Sequence, residues 1–274
     1  MIGDFSLDTP ISKKGYFIAQ RPKPLRISES APWAGFACVS ALVLALGISF
    51  TAPAAFGASL GEAESSYRAG RYSAARAGFE ALAEAGNERA LDRLGIMAAK
   101  GQGGTRSDSD AAHYILKSAE AGYGKAQFEI GWMYFNGVGV SRDTANAISW
   151  YQKAVDNNIS QAAYNLGGIY LRGEFIEKSA SRARLLMEKA SSRGFTPAQN
   201  DLGVMYWNGV GGVQDKKLGF MWVSLAAGRK FPSGIRNRVL FKASLSPSDV
   251  KRAVSMARDC VSNEYKSCNQ LSSR

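Results

Sequence analysis

The chain has 274 residues, of which 46% are hydrophobic and 21% charged, a balance that excludes a wholly disordered polypeptide and fits one or two globular domains. One histidine, His113, and three cysteines, Cys38, Cys260 and Cys268, leave few residues for metal sites or histidine-based acid–base catalysis. The net charge of +11 is spread along the chain and not gathered into the clustered stripe that phosphate tracking needs, so nucleic-acid binding is not expected.

The first element is a targeting segment. Residues 1–33 form a polar leader with Lys13, Lys14, Arg21, Lys23 and Arg26, and residues 34–58 hold an uncharged stretch from Ala34 to Ala55. That stretch ends in Ala52-Pro53-Ala54, whose small side chains suit a signal peptidase, with cleavage expected after Ala54. The alternative is an uncleaved anchor with its basic side in the cytoplasm, since about 20 apolar residues can span a bilayer. Both readings place the remainder in the periplasm or another extracytoplasmic compartment, with the membrane contacted only through this segment.

Residues 59–89, with Tyr67, Gly70, Tyr72, Ala75, Phe79 and Leu82, read as a helical pair that caps a stack of repeats. Beyond it, Gly95, Gly131, Gly167 and Gly203 stand 36 residues apart, and Ala90, Ala126, Ala162 and Ala198 keep the same register. So do Gly101, Gly137, Gly173 and Gly209, as well as Tyr134, Tyr170 and Tyr206. These columns define four units, over 90–125, 126–161, 162–197 and 198–228. In the second, Ala126, Ile130, Met133 and Tyr134 make the apolar face of a helix A, and Gly131 admits a close neighbour. Gly137 can close that helix at φ > 0, and Asp143 can cap a helix B whose inner face is Ala147, Trp150, Tyr151 and Ala154. One such pair cannot bury both faces, whereas a stack of four does, giving an all-α, right-handed solenoid.

The pattern A-x-x-x-[LI]-G-x-[MI]-Y-x-x-G, a G-x-G-V turn and D-x-x-x-A-x-x-W-x-x-x-A resembles the Sel-one-like repeat (SLR), a relative of the tetratricopeptide repeat. The resemblance covers about Ala90 to Gly228. Two departures, Ala98 in the tyrosine column and Glu174-Phe175-Ile176 in place of the third turn's G-x-G-V, predict distortion of the first and third turns.

Residues 229–274 read as C-terminal capping helices. Ser246-Pro247-Ser248-Asp249 is a helix start with a capping serine and an N1 proline, and Val250, Val254, Ala257 and Val261 supply a stripe to cover the last repeat. Cys260 and Cys268, an even pair in an exported portion, are expected to form a disulfide.

For chemistry the sequence offers little. The glycine-rich turns come after helices, not strands, and so lack the context of a dinucleotide fingerprint. His113 has no nucleophile at a catalytic spacing and reads as a surface residue, and Glu129 and Asp201 read as solvated charges. No catalytic residue, metal or cofactor is expected.

The second face of helix A carries Phe128, Trp132, Phe135 and Asn136, then Tyr164, Leu171 and Arg172, then Asn200, Val204, Trp207 and Asn208. In tetratricopeptide-like stacks this face lines the concave groove, so the resemblance implies an aromatic peptide groove. Periodicity alone leaves open whether these side chains face a ligand or pack on the next helix. The reading is a monomeric, exported interaction module, adaptor or regulator, that binds a protein or peptide partner. An envelope enzyme such as a peptidoglycan-acting hydrolase, or a membrane-tethered assembly factor, is the alternative.

Overall fold

The structure, a computed structural model, describes residues 59–266 and 268–273, so the leader and the export or anchor segment lie outside the described residues. The described part is helical throughout and contains no strand. None of its helices is long and apolar enough to cross a membrane.

A capping pair, α1 (Leu60–Arg68) and α2 (Tyr72–Glu84), precedes four repeats: α3 (Glu88–Lys100) with α4 (Asp108–Glu120), and α5 (Gly124–Asn136) with α6 (Thr144–Asp156). Then come α7 (Ser160–Arg172) with α8 (Ala180–Ser191), and α9 (Thr196–Asn208) with α10 (Lys216–Gly228). The odd-numbered helices of this series are A helices and the even-numbered ones B helices. Each A helix starts about two residues before the boundary read from the sequence, because the alanine column marks the first residue that packs and not the first that is helical.

Local chemistry fixes the ends. Gly101, Gly137, Gly173 and Gly209 close the A helices in the left-handed conformation at φ 68–71°. Ser107, Asp143, Ser179 and Asp215, again 36 residues apart, open the B helices by accepting a hydrogen bond from a backbone N–H in the first turn. The glycine in the middle of each A helix is where its own B helix crosses. A Cβ on Gly131 would meet the Tyr151 ring at 2.9 Å, and one on Gly203 would meet the Gly219 carbonyl at 2.8 Å and the Val223 amide at 2.9 Å. Around these crossings the cores are continuous from repeat to repeat. Ala98, Ala111 and Ile115 of the first repeat pack with Ala126, Ile130 and Met133 of the second.

The first turn is regular, contrary to the expected distortion: Gly101 and Gly103 adopt the same left-handed φ as Gly137 and Gly139, and Ala98 is buried. The third turn differs at a single point. Gly103, Gly139 and Gly211 pass against the first carbonyl of the preceding B helix, that of Tyr72, Asp108 or Ala180. In the third turn Phe175 holds that register position, does not take a positive φ, and turns its ring onto Phe135.

Helix α11 (Pro232–Lys242) and helix α12 (Pro247–Ser262) come next, then a short 3-10 helix over Cys268–Ser273. Ser246 caps α12 as expected, accepting from the Asp249 amide at 3.1 Å. The stripe that α12 buries is Ala253, Met256, Ala257 and Cys260, not the valine stripe, and Val261 is 49% exposed. Cys260 lies on that buried side, and its disulfide to Cys268 ties the chain end back onto α12. The Trp222 indole donates to Asn269 at 3.0 Å and holds the same end against α10.

The Gly203 crossing gives a test. Gly203→Val places methyl groups where two backbone atoms already stand, so stability should fall by about 1–3 kcal/mol despite valine's better helix propensity. The expected readout is a lower urea midpoint at unchanged m-value.

Candidate protein-binding face

Each A helix commits part of its circumference to packing, and the remainder defines the face. In α5, Ala126, Gln127, Ile130, Gly131 and Met133 are buried, which turns Lys125, Phe128, Glu129, Trp132, Phe135 and Asn136 outward. The same phase holds in α7 and α9.

The predicted site residues separate into two groups. Phe128 is half-buried, with its ring 5.8 Å from Tyr151. Tyr164 donates to Asp201 at 2.9 Å and sets its ring edge-to-face on Phe195. Asn200 is buried, donating to Asp201 and accepting from Asn237 at 2.9 Å in each case. Trp207 is stacked on Phe241 of α11 with centroids 3.9 Å apart. These four have partners inside the stack, and for Asn200 and Trp207 the cover is α11.

The remaining residues lie along the same face. Trp132 packs one side on the first two repeats' core and stays half-buried, as do Leu171 and Val204. Phe135 lies edge-on to Phe175 at 5.7 Å, with the Arg142 guanidinium over both rings. Asn136 and Asn208 are exposed, each donating back to a carbonyl of its own helix, and exposed Arg172 pairs with Glu174 at 3.2 Å. Trp132, Leu171 and Val204, edged by Asn136, Arg172 and Asn208, form the accessible strip.

A polar ladder beside this strip is absent from the sequence-based expectations. Glu64 of α1 pairs with Arg93 of α3 at 2.6 Å, and Asp92 of α3 with Lys125 of α5 at 3.1 Å. Lys125 also reaches Glu129 at 3.2 Å. Tyr164 to Asp201 and Asn200 to Asn237 continue the ladder to α11. The Glu64–Arg93, Asp92–Lys125, Tyr164–Asp201 and Asn200–Asn237 contacts each join successive A helices, whereas Lys125–Glu129 lies within α5. The expectation that Glu129 and Asp201 are solvated is overturned, because each is drawn between two helices. Burial pushes the Glu129 carboxyl up to about 7, with the Asp92 charge adding to the rise and the Lys125 ammonium opposing it. Burial likewise raises the Asp201 carboxyl, while hydrogen bonds from Asn200 and Tyr164 pull it partly back. A signal existed: positions 93, 129, 165, 201 and 237 keep the 36-residue register and are Arg, Glu, Asn, Asp and Asn, a wholly polar column.

The chemistry available is that of recognition. The face offers apolar area, amide and guanidinium donors and carboxylate acceptors, and it pairs no nucleophile with a base. His113 is exposed on α4 against the edge of Tyr114. Among the described residues no group of histidines, cysteines and acids could hold a metal.

Repeated helix pairs with glycine crossings and a shared outward face define an α-solenoid interaction scaffold. Residues 89–123, 124–159, 160–195 and 196–229, just over half of the chain, each match the Sel1 repeat, and the chain belongs to the Sel1 repeat family. Its structure is similar to that of a Sel1 repeat protein from Oxalobacter formigenes, with 27% identity and a TM-score of 0.64, over 70% of this chain and 80% of that one. It also shares its fold with a protective antigen of uropathogenic Escherichia coli that displays an SLR fold, at 24% identity and a TM-score of 0.50. That likeness spans 77% of this chain and 55% of the antigen. No curated protein matches the chain.

The Glu129 rung predicts a pH dependence. A carboxyl whose folded-state pKa lies above its unfolded value costs nothing below about pH 4.5 and progressively destabilises the fold as pH rises towards 7, because the unfolded chain gives up its proton first. Glu129→Gln should therefore flatten the fall in melting temperature between pH 5 and pH 8. The difference is on the order of 1–3 kcal/mol, since each tenfold change in proton affinity is worth about 1.4 kcal/mol.

Proposed function

We propose that this protein is an exported, non-enzymatic interaction module whose A-helix face binds a segment of a partner protein, in the role of an adaptor or regulator. The observation that carries this reading is the strip of Trp132, Leu171 and Val204. These apolar side chains remain half-open on three consecutive A helices, and Trp207, equally half-buried, has its ring stacked on Phe241 of α11. An aromatic anchor set among groups that exclude water is where binding energy concentrates in protein interfaces. Asn136, Arg172 and Asn208 along the edge supply donors that fix the direction of a bound backbone. Membership of a family whose proteins generally mediate protein–protein interaction supports the same conclusion. Export rests on the uncharged segment Ala34–Ala55 and its A-x-A end.

The test is a paired measurement on the partner recovered by crosslinking in intact cells. Trp132→Ala should cost about 1–2 kcal/mol of stability, half of what a fully buried tryptophan loses, and weaken the partner by about 2 kcal/mol or more. Leu171→Glu should leave the melting temperature nearly unchanged and weaken binding comparably. Binding that survives both substitutions places the interface elsewhere. N-terminal sequencing of the mature protein, with Ala55 as the expected first residue, checks the export reading.

A further inference from the structure

Helix α11 is the start of a fifth repeat at the same register. Phe231 stands 36 residues after Phe195, and Gly234, Asn237, Leu240 and Phe241 come in phase with Ala198, Asp201, Val204 and Met205. Its inner side behaves as an A helix should. Gly234 and Phe241 are buried, Phe241 stacks on Trp207, and Asn237 completes the polar ladder.

The other side has lost its cover. In α9 the residues at the phase of 235, 238, 239 and 242 are Gln199, Leu202, Gly203 and Tyr206, all buried. In α11 they are Ile235, Arg238, Val239 and Lys242. Ile235, Arg238, Val239 and Lys242 are all exposed, with Val239 67% exposed at the register of the crossing glycines. Helix α12 packs chiefly on α10, and the four α11 residues line a shallow depression together with Ala227 of α10. The place that a fifth B helix would occupy is a groove open to solvent.

We propose that this groove docks an acidic amphipathic helix of a partner protein, lying where the B helix of a fifth repeat would lie. Charge decides among the occupants. Helix α11 carries Arg236, Arg238 and Lys242 and no acid, and among the described residues none of the three is ion-paired. A second copy of this chain would bring the same basic groups against them, and the leader would bring Lys13, Lys14, Arg21, Lys23 and Arg26. A helix with glutamates or aspartates flanking an apolar stripe meets both requirements of the groove. Val239 adds a steric condition. Where the other B helices set Ile115, Tyr151, Met187 or Val223 against a glycine, the docked helix must present a small residue.

The experiment uses the full chain in mild detergent and two lactam-bridged helical peptides of about four turns, the length of the B helices they replace. Both have one leucine–alanine stripe; one is flanked by glutamates and the other by lysines, and binding is read by fluorescence anisotropy. The glutamate peptide should bind at least about tenfold more tightly than the lysine peptide. Val239→Asp should abolish that binding with an unchanged melting temperature, and Trp132→Ala should leave it intact, which separates this site from the A-helix strip. In the double variant Arg238→Glu/Lys242→Glu the preference should invert. Equal binding of the two peptides, or binding indifferent to Val239→Asp, overturns the proposal. So does sedimentation showing Val239-dependent self-association, which would make a second copy the occupant. Crosslinking from Val239→Cys to residues 1–58 would assign the groove to the leader and overturn it too.

Discussion

The stack rests on a close helix crossing at a glycine in each A helix of the repeats, closest at Gly203, where the approach is backbone to backbone. An interior glycine costs a helix about 1 kcal/mol relative to alanine, yet four A helices carry one at the same phase, because there the B helix approaches closer than a Cβ would comfortably allow. In the fourth repeat the contact is reciprocal, with Gly219 of α10 lying against the Gly203 carbonyl and the Trp207 amide. Once that crossing is fixed, the rest of the A helix has little freedom. Residues one turn to either side are buried with it, and the side chains on the far arc must face outward. The polar ladder and the apolar strip both lie on that arc.

Two kinds of interaction then bind repeat to repeat. The first is the turn, where glycines at φ near 70–80° let the connection lie on the preceding B helix, and where Phe175 substitutes a ring contact with Phe135 and Arg142 for the lost backbone approach. The second is the ladder, which places carboxylates between helices where water is scarce. Arg93 pairs with Glu64, and Lys125 is shared by Asp92 and Glu129, so the ladder holds none of the net +11 charge, which lies elsewhere on the chain. Helix α11, at the end of the array, carries three basic residues, Arg236, Arg238 and Lys242, and no acid. A solenoid must terminate, and terminal repeats ordinarily present a polar outer face. Here the inner half of the last A helix is sealed by Trp207 and Asn200, and its outer half keeps Ile235 and Val239 in the open.

The sequence by itself determined the helical class, the 36-residue register, the caps at Asp143 and Ser246 and the cysteine pair. Each is a local or periodic property: a crossing glycine, a capping side chain or a column of alanines is written where it acts. Phase along a helix, about 100° per residue, also delimited a second face of each A helix, although Phe128 on that face packs against Tyr151 of α6. The groups that lie across from that face are set by the curvature of the stack and by the segment C-terminal to it, and no periodicity encodes either. Only the tertiary structure placed Phe241 over Trp207, drew Glu129 and Asp201 between helices, and turned α12 onto its Ala253–Met256–Cys260 side. Those outcomes depend on residues from different helices, about one repeat apart in sequence, meeting at one contact, and a carboxylate's environment or an aromatic ring's exposure has no value until that meeting occurs.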